Sequence, residues 1–203
     1  MNGDKFGGIA GLVLAGGRSR RMGNDKACLR PNGGASLLEI VHGRLASLFS
    51  SCFVSCAHES SYTDYNCIGD EVESCGPLTG IISAMRALRS YRAIFVLACD
   101  MPLLPAEMFA ELIRAWRQDG ERAAVVAWQS RLSGKIQMLC ALYPLSSLPY
   151  FEEAYRVGEM ALWNIVPAQL RLCLPYGPEK EKFFLNCNTP ADLSCVNWDT
   201  LCV

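Results

Sequence analysis

A glycine-rich, basic segment near the amino terminus has the residue types that bind polyphosphates. Residues 14–26 read Leu-Ala-Gly-Gly-Arg-Ser-Arg-Arg-Met-Gly-Asn-Asp-Lys, and they follow an apolar run, 9–14, with the length and branching of a buried strand. Glycines let the backbone turn tightly, so that successive N–H groups can surround an anion. The cationic side chains of the segment suit phosphate contacts: Arg18, Arg20, Arg21 and Lys26. We therefore predict a polyphosphate site, and the alternative is a solvated basic turn.

The spacing of this segment differs from two common glycine loops. In the P-loop a lysine directly follows the second glycine, whereas here Lys26 comes three residues after Gly23. The Gly-x-Gly-x-x-Gly fingerprint of dinucleotide-binding loops is absent from the segment. The pattern therefore disfavours a P-loop NTPase and an NAD-dependent oxidoreductase.

Composition limits the partners that the chain can have. With 203 residues, 51% of them hydrophobic, the chain suits one domain with a substantial core, spanning 1–203. The net charge of −1 gives no electrostatic case for nucleic acid or for a membrane surface. The longest apolar runs, such as 93–99, are too short to cross a bilayer, and the first residues lack a signal-peptide pattern. We therefore expect a cytoplasmic protein that binds neither nucleic acid nor membranes.

Cysteine is abundant, but its spacing does not indicate a metal centre. The chain has 11 cysteines, no Cys-x-x-Cys pair and only two histidines, which argues against a zinc or iron–sulfur site. Several cysteines lie inside apolar runs, where a thiol behaves as a small hydrophobic group. We expect mostly buried thiols in a reducing compartment.

Strand-like apolar runs alternate along the chain with segments of helical periodicity. The predicted strands are 9–14, 52–57, 93–99, 123–128, 137–142 and 170–174. The predicted helices are 36–48, one that starts at Pro77, and 105–119. This order predicts an α/β fold, a three-layer αβα sandwich around a mostly parallel sheet. In such folds, ligands bind beyond the carboxyl ends of the strands.

An acidic residue, Asp100, directly follows the most apolar predicted strand, 93–99. At that place it would face the same edge of the sheet as the glycine-rich segment. A carboxylate there can hold Mg²⁺, which prefers oxygen ligands and bridges nucleotide phosphates. The alternative is a cap for the helix near Pro105, although Asp100 lies several residues upstream of it.

A second glycine motif, Gly76-Pro-Leu-Thr-Gly80, follows the acidic residues Asp70, Glu71 and Glu73. By itself it is explained as a turn and the start of a helix. Its glycines would also permit close backbone packing against a base or ribose. Asp70 could then accept hydrogen bonds from the edge of a base.

Two asparagines, Asn186 and Asn188, precede a predicted helix start at Thr189-Pro190. Neither asparagine is needed to cap that helix. If they lie at the end of a strand, residues two apart point the same way. Such a pair of amides could recognise a polar ligand with many heteroatoms, such as a pterin.

These motifs resemble those of the molybdenum cofactor guanylyltransferases, in the same order and along nearly the whole chain. The matching stretches are Leu14-Ala-Gly-Gly-x-Ser-x-Arg-Met-Gly-x-Asp-Lys26, Gly76-Pro-Leu-x-Gly80, Cys99-Asp-Met-Pro-Leu103, Gln137-x-Leu-x-Ala-Leu-Tyr143 and Asn186-x-Asn-Thr-Pro-x-Asp-Leu193. The first stretch is shared by many nucleotidyltransferases, including sugar-nucleotide enzymes. The last one, together with the Gly-Pro-Leu element, points more narrowly to the guanylyltransferases.

The resemblance implies a Rossmann-like fold of the nucleotide-diphospho-sugar transferase type and a Mg²⁺-dependent reaction. The substrates would be GTP and the molybdopterin cofactor, the product a guanine dinucleotide, and pyrophosphate would be released. Transient contact with other molybdenum cofactor proteins would fit that role. The open alternatives are a related enzyme that uses CTP or a sugar phosphate acceptor, and a nucleotide-binding module without catalysis.

The resemblance also implies roles for individual residues. The nucleotide would be bound by Leu14, Ala15, Gly16, Gly17, Lys26, Ser55, Asp70, Gly76 and Asp100. Catalysis would depend on Lys26, Arg21 and Asp100, with Asp100 also the magnesium ligand. Asn186 and Asn188 would lie near the pterin. Ser55 departs from the family, which often has an asparagine at the end of the second strand.

Overall fold

The computed structural model of the chain describes residues 6–15, 26–56, 62–71 and 76–188, together with 192, 193, 196 and 198. Within these residues, seven strands form one sheet in the order β3-β2-β1-β4-β6-β5-β7. The strands are β1 (Ile9–Leu14), β2 (Cys52–Cys56), β3 (Cys67–Gly69), β4 (Ala93–Ala98), β5 (Val125–Ser130), β6 (Ile136–Pro144) and β7 (Arg171–Tyr176). Only β6 runs antiparallel to its neighbours, β4 and β5. The predicted mostly parallel sheet is confirmed.

Helices cover both faces of the sheet. They are α1 (Leu37–Ala46), α2 (Pro77–Ala87), α3 (Ala106–Gln118), α4 (Leu148–Val157) and the short α5 (Leu162–Ile165). In β4, Phe95 and Leu97 belong to the core shared with α1 and α3, and Ile94 and Val96 to the core shared with α2, α4 and α5. Because alternate side chains of a strand point to opposite faces, β4 is buried on both sides. The three-layer αβα sandwich is therefore confirmed.

The helices that flank the site start where local chemistry favours a start. At α1, the Ser36 hydroxyl accepts the Glu39 N–H at 3.1 Å, and the Glu39 carboxylate accepts the Ser36 N–H at 2.5 Å. This reciprocal pair is a capping box, and hydrogen bonding from the backbone N–H and the side chain of Ser36 lowers the pKa of the Glu39 carboxyl group. At α2, Gly76 has φ +85°, a conformation that favours glycine, and Pro77 follows it.

Two parts of the fold differ from the sequence prediction. The strand β3 was not predicted, because its three half-buried residues are too few to show a periodicity. In the region 145–182 the predicted strand 170–174 is present as β7, whereas α4 and α5 had no predicted bounds. Of the cysteines expected to be buried, Cys140 in β6 is fully enclosed, and its burial raises the thiol pKa. Within the described residues, no helix has both the length and the apolar character needed to span a bilayer.

Candidate active site

The carboxyl ends of β1, β2 and β4 lie side by side at one edge of the sheet. The Ala15 N–H, just beyond β1, donates to the Ser55 carbonyl in β2 at 3.1 Å. On the other side, the Cys99 N–H beyond β4 donates to the Leu14 carbonyl at 3.1 Å. The sheet thus places the end of β1, which leads into the glycine-rich segment, directly beside the turn that contains Asp100.

Lys26 and Asp100 meet at this edge, although 74 residues separate them in the chain. The Lys26 Nζ donates to the Asp100 Oδ2 at 3.1 Å, and the two side chains are 15% and 20% exposed. The other carboxylate oxygen of Asp100, Oδ1, is buried and has no hydrogen-bond partner within the described residues. The alternative that Asp100 caps a helix is wrong. The helix α3 begins at Ala106, its N-cap residue is Pro105, and no side chain forms a capping hydrogen bond there.

The carboxyl-terminal segment completes this cluster. The Cys187 N–H donates to the Asp100 carbonyl at 2.8 Å, and the Asn188 side-chain oxygen accepts a hydrogen bond from the Lys26 ammonium. The Asn188 N–H in turn donates to the Asp192 carboxylate at 2.8 Å. We call Lys26, Asp100 and Asn188 the charged edge.

The two asparagines, Asn186 and Asn188, have different neighbours. Residues 185–188 form no strand, and Asn186 lines a cavity while Asn188 contacts Lys26. The expectation that both amides point the same way depended on a strand, which residues 185–188 do not form, and the contact of both with the pterin stays a prediction. The predicted helix start at Thr189-Pro190 lies outside the described residues, as do Gly16, Gly17 and Arg21 of the glycine-rich segment.

A cavity of about 470 Å³ opens next to the charged edge, a volume typical of small-molecule sites. It is bounded by Pro77 at the start of α2, by Met101 and by Asn186. Residues 135–139 in and before β6, and residues 160–163 around the start of α5, form the remaining wall. Met101 directly follows Asp100 and Asn186 lies two residues before Asn188, so the cavity wall is close in sequence to the charged edge, whose own three residues do not line it.

One polar side chain of the cavity wall is fixed by a hydrogen-bond network behind it. Gln137 is 6% exposed, and its Nε2 donates to the Tyr176 hydroxyl at 2.7 Å. The Tyr176 hydroxyl in turn donates to the Glu181 Oε2 at 3.3 Å. Because the amide nitrogen is used in this network, the amide oxygen of Gln137 is the atom left to accept a hydrogen bond elsewhere.

Ser55 lies under α2 and is 2% exposed. A Cβ atom added at Gly80 would clash with the Ser55 hydroxyl and would lie 3.3 Å from a Leu14 methyl group. Gly80 therefore allows the close approach of α2 to the sheet, whereas the sequence suggested close packing against a base or ribose. The nucleotide contact of Ser55 itself stays a prediction.

Asp70 lies one residue beyond β3, at the same edge of the sheet. Its N–H donates to the Cys56 carbonyl at 3.2 Å, and partial burial raises the pKa of its carboxyl group. The neighbouring Glu71 is used differently, because its carboxylate pairs with Arg86 at 3.4 Å. This difference favours Asp70 over Glu71 as the acidic group available to a ligand.

Some residues of the cavity were not identified as site residues from the sequence. Gln137 appears in the sequence motif, but nothing in its spacing indicated a role. Met160 and Trp163 are 39% and 57% exposed, although large apolar side chains in a helical pattern normally indicate core. The fold places Met160 and Trp163 on the cavity wall, and the sequence pattern does not indicate this position.

The helix-flanked, mostly parallel sheet defines a Rossmann-like α/β protein, and the acid–lysine cluster beyond its carboxyl edge is a candidate ligand site. Residues 11–171 match the family of the MobA-like NTP transferase domain, and the chain belongs to this family.

The chain is similar in sequence to a named relative and in fold to two solved structures. A probable molybdenum cofactor guanylyltransferase of Opitutus terrae is 36% identical over 192 residues, which cover 91% of this chain and 92% of that protein. The structure of molybdopterin-guanine dinucleotide biosynthesis protein A from Archaeoglobus fulgidus superposes with a TM-score of 0.73 at 24% identity, covering 92% and 95% of the two chains. The 2-C-methyl-D-erythritol 4-phosphate cytidylyltransferase of Thermus thermophilus has a TM-score of 0.67 at 14% identity, covering 92% and 96%. These two structural likenesses concern the fold alone.

Proposed function

We propose that this protein transfers GMP from GTP to the molybdopterin cofactor and releases pyrophosphate. The observation that carries the proposal is the charged edge, where Lys26 and Asp100 meet beside a cavity of ligand size. The family and the name of the 36%-identical relative support the choice of reaction. The reaction forms a bond from a phosphate oxygen of the pterin substrate to the α-phosphorus of GTP and breaks the bond to the β-phosphate oxygen.

The nucleotide would bind over the ends of β1 and β3. In this proposal Leu14 and Ala15, with Gly16 and Gly17 beyond them, bind the nucleoside and first phosphate, and Ser55 and Gly76 adjoin it. Lys26 and Arg21 contact the phosphates and stabilise the charge of the departing pyrophosphate. Asp70 accepts the N1–H and amino group of guanine, a donor pair that cytosine lacks.

Asp100 would hold the Mg²⁺ on which the reaction depends. Its buried Oδ1 lacks a hydrogen-bond partner within the described residues, and such an atom normally has one. The described residues contain no group of three acidic, His or Cys side chains that could hold a metal. One carboxylate is nevertheless enough, because Mg²⁺ keeps several waters and takes substrate phosphates as ligands. The ion would neutralise charge on the phosphates, and Asp100 would position it.

The pterin would enter the cavity, with Asn186 on its wall and Asn188 beside Lys26. In this proposal the acceptor phosphate approaches from the cavity and GTP lies over the strand ends, and the acceptor oxygen attacks the α-phosphorus in line with the departing pyrophosphate. Catalysis then consists of positioning the two reactants and stabilising charge, without a covalent intermediate on the protein.

The proposal includes the setting of the reaction. Residues 1–203 would act as one nucleotidyltransferase domain, since the two described cores share a single sheet. The protein would work in the cytoplasm, where GTP is supplied, and pass its product on through transient contacts with other molybdenum cofactor proteins.

A reconstituted reaction tests the proposal. Purified protein is mixed with Mg²⁺, the molybdenum-loaded pterin and either GTP or CTP, and pyrophosphate and the mass of the product are measured. We expect a guanine dinucleotide and pyrophosphate with GTP, and little product with CTP. Preference for CTP would identify a cytidylyltransferase, and nucleotide binding without pyrophosphate release would indicate a non-catalytic module. Omission of Mg²⁺ should abolish turnover.

A further inference from the structure

Trp163 is an exposed aromatic residue that lines the cavity. Its indole is 57% exposed, whereas its neighbours Leu162 and Ile165 are 5% and 7% exposed and anchor α5 in the core. A large aromatic surface left in water forgoes the stabilisation that burial would give it. Its location on a cavity wall offers a reason for that exposure.

The segment that carries Trp163 is held in place by one carboxylate. Glu159 accepts the Ala161 N–H at 2.8 Å and the Asn164 side-chain N–H at 3.0 Å. The two residues bonded to Glu159, Ala161 and Asn164, flank Trp163 in the sequence, and the buried Leu162 also lies between them. The indole is therefore presented on a fixed turn, so that little further ordering of the backbone is needed when a ligand binds.

The opposite requirement, a fixed hydrogen-bond acceptor, is met by Gln137. Gln137 lines the cavity, and because its amide nitrogen donates to Tyr176, its amide oxygen is the atom left to accept a hydrogen bond. An apolar plate and a directed acceptor in one cavity suit a planar heterocycle with N–H groups along its edge.

We propose that Trp163 is a specificity-determining residue that stacks on the face of the pterin ring, while the Gln137 amide oxygen accepts an N–H from the edge of that ring. This inference rests on the proposed function, because it takes the pterin as the occupant of the cavity. It assigns the ring to the cavity wall at α5 and β6, and leaves the phosphate of the same substrate at the charged edge.

Steady-state kinetics with both substrates varied test the assignment. We expect Trp163→Ala to raise the KM for the molybdenum-loaded pterin about tenfold, equivalent to about 1.4 kcal/mol, and to leave the KM for GTP unchanged. Trp163→Phe should stay within about threefold of wild type, because a smaller aromatic ring still stacks. Val157→Ala is the matched control, since Val157 is 59% exposed on α4 and does not line the cavity.

Three outcomes would overturn the inference. Trp163→Leu with a wild-type KM for the pterin would show that any apolar cover is sufficient. A rise in the KM for GTP instead would place the nucleotide in the cavity. An unchanged KM for both substrates in Trp163→Ala would remove the indole from the site.

Failure of the proposed function has a separate signature. Binding of 6-hydroxymethylpterin, measured by calorimetry, needs no turnover. If wild-type protein makes no guanine dinucleotide yet binds this pterin, and Trp163→Ala does not, the stacking site stands and the proposed reaction falls. If wild-type protein is active but the Ala variant binds both pterins normally, the stacking site falls and the reaction stands.

Discussion

The charged edge and the cavity lie side by side, yet their side chains are organised by different forces. At the charged edge, Lys26 and Asp100 pair at 3.1 Å, and the Cys187 N–H holds the Asp100 backbone at 2.8 Å. In the cavity, the polar group Gln137 is fixed from behind by Tyr176, and the remaining wall is largely apolar. The first region suits ions and phosphates, and the second suits a ring with a specific edge.

This difference predicts two kinds of mutational effect. Removal of a charge next to a developing charge lowers turnover, because the lost interaction is strongest in the transition state. Removal of a wall or edge contact mainly weakens the binding of one substrate. Variants at the two regions should therefore separate kcat from the KM of the pterin.

The largest effect is expected from Asp100→Asn. The variant keeps the size of the side chain but loses the charge at the buried Oδ1, and we expect kcat to fall by about 10²–10³. Turnover at saturating Mg²⁺ and the thermal unfolding midpoint are measured together. Asp64→Asn, in an exposed turn, is the control. A folded Asp100→Asn protein with a rate within about threefold of wild type would contradict the metal role.

A slightly smaller effect is expected from Lys26→Met, which keeps the aliphatic stem and removes the ammonium group. We expect kcat/KM for GTP to fall about a hundredfold, because the phosphates lose a partly buried cation. Lys182→Met, at an exposed position, is the matched control and should have no such effect. Unchanged GTP affinity and unchanged rate together would remove Lys26 from the site.

The sequence predicted the charged edge better than the cavity, and the reason is physical. A run of glycines and cations after an apolar strand has few structural explanations, and an acid at the end of a central strand has few as well. Because β1 and β4 are adjacent and parallel, the residues that follow them lie at the same edge of the sheet, as the sequence predicted for Asp100 and the glycine-rich segment. The order of the strands and the direct contact between Lys26 and Asp100 were not predicted.

The cavity depends on features that one sequence does not display. Trp163 lies between buried residues in a four-residue helix, too short for a periodicity that would mark its exposed side. The orientation of the Gln137 amide is set by Tyr176, 39 residues away. Asn186 and Asn188 lie in a non-repetitive backbone at 185–188, where the two-residue rule of strands does not apply.

A third variant, Asp70→Asn, extends the comparison to the recognition of the base. The amide accepts hydrogen bonds less strongly than the carboxylate, and its NH₂ group can oppose the guanine donors, so we expect the KM for GTP to rise about tenfold. Discrimination against CTP should fall by a similar factor. Competition between the two nucleotides measures both quantities. An unchanged GTP:CTP ratio would move base recognition to another residue.

Asp70 also makes the free energy of unfolding and the KM for GTP depend on pH, each in a direction that can be predicted. Burial raises the pKa of Asp70 above 3.8, so the folded protein binds this proton more tightly than the unfolded chain does. Ionisation of Asp70 therefore lowers the free energy of unfolding as pH rises from 3.8 through the raised folded-state pKa. Asp70→Asn should remove this small loss, which urea unfolding at several pH values can detect. The KM for GTP of wild-type protein should rise as pH falls through the same window, because the protonated carboxyl is a poorer acceptor.

The smallest effects are expected from Asn186 at the cavity and Asn188 at the charged edge. Their variants should also differ most clearly in which substrate's KM they change. Asn186 lines the cavity, so Asn186→Ala should raise the KM for the pterin by about three- to tenfold and leave the KM for GTP unchanged. Asn188 accepts a hydrogen bond from Lys26, so Asn188→Ala should release the ammonium and alter the KM for both substrates. Asn188→Asp tests this reading, since an added carboxylate would hold Lys26 more firmly and compete with the phosphates for it. If both alanine variants changed only the KM for the pterin, the two amides would act as one recognition unit, and the separate roles assigned to Asn186 and Asn188 would be wrong.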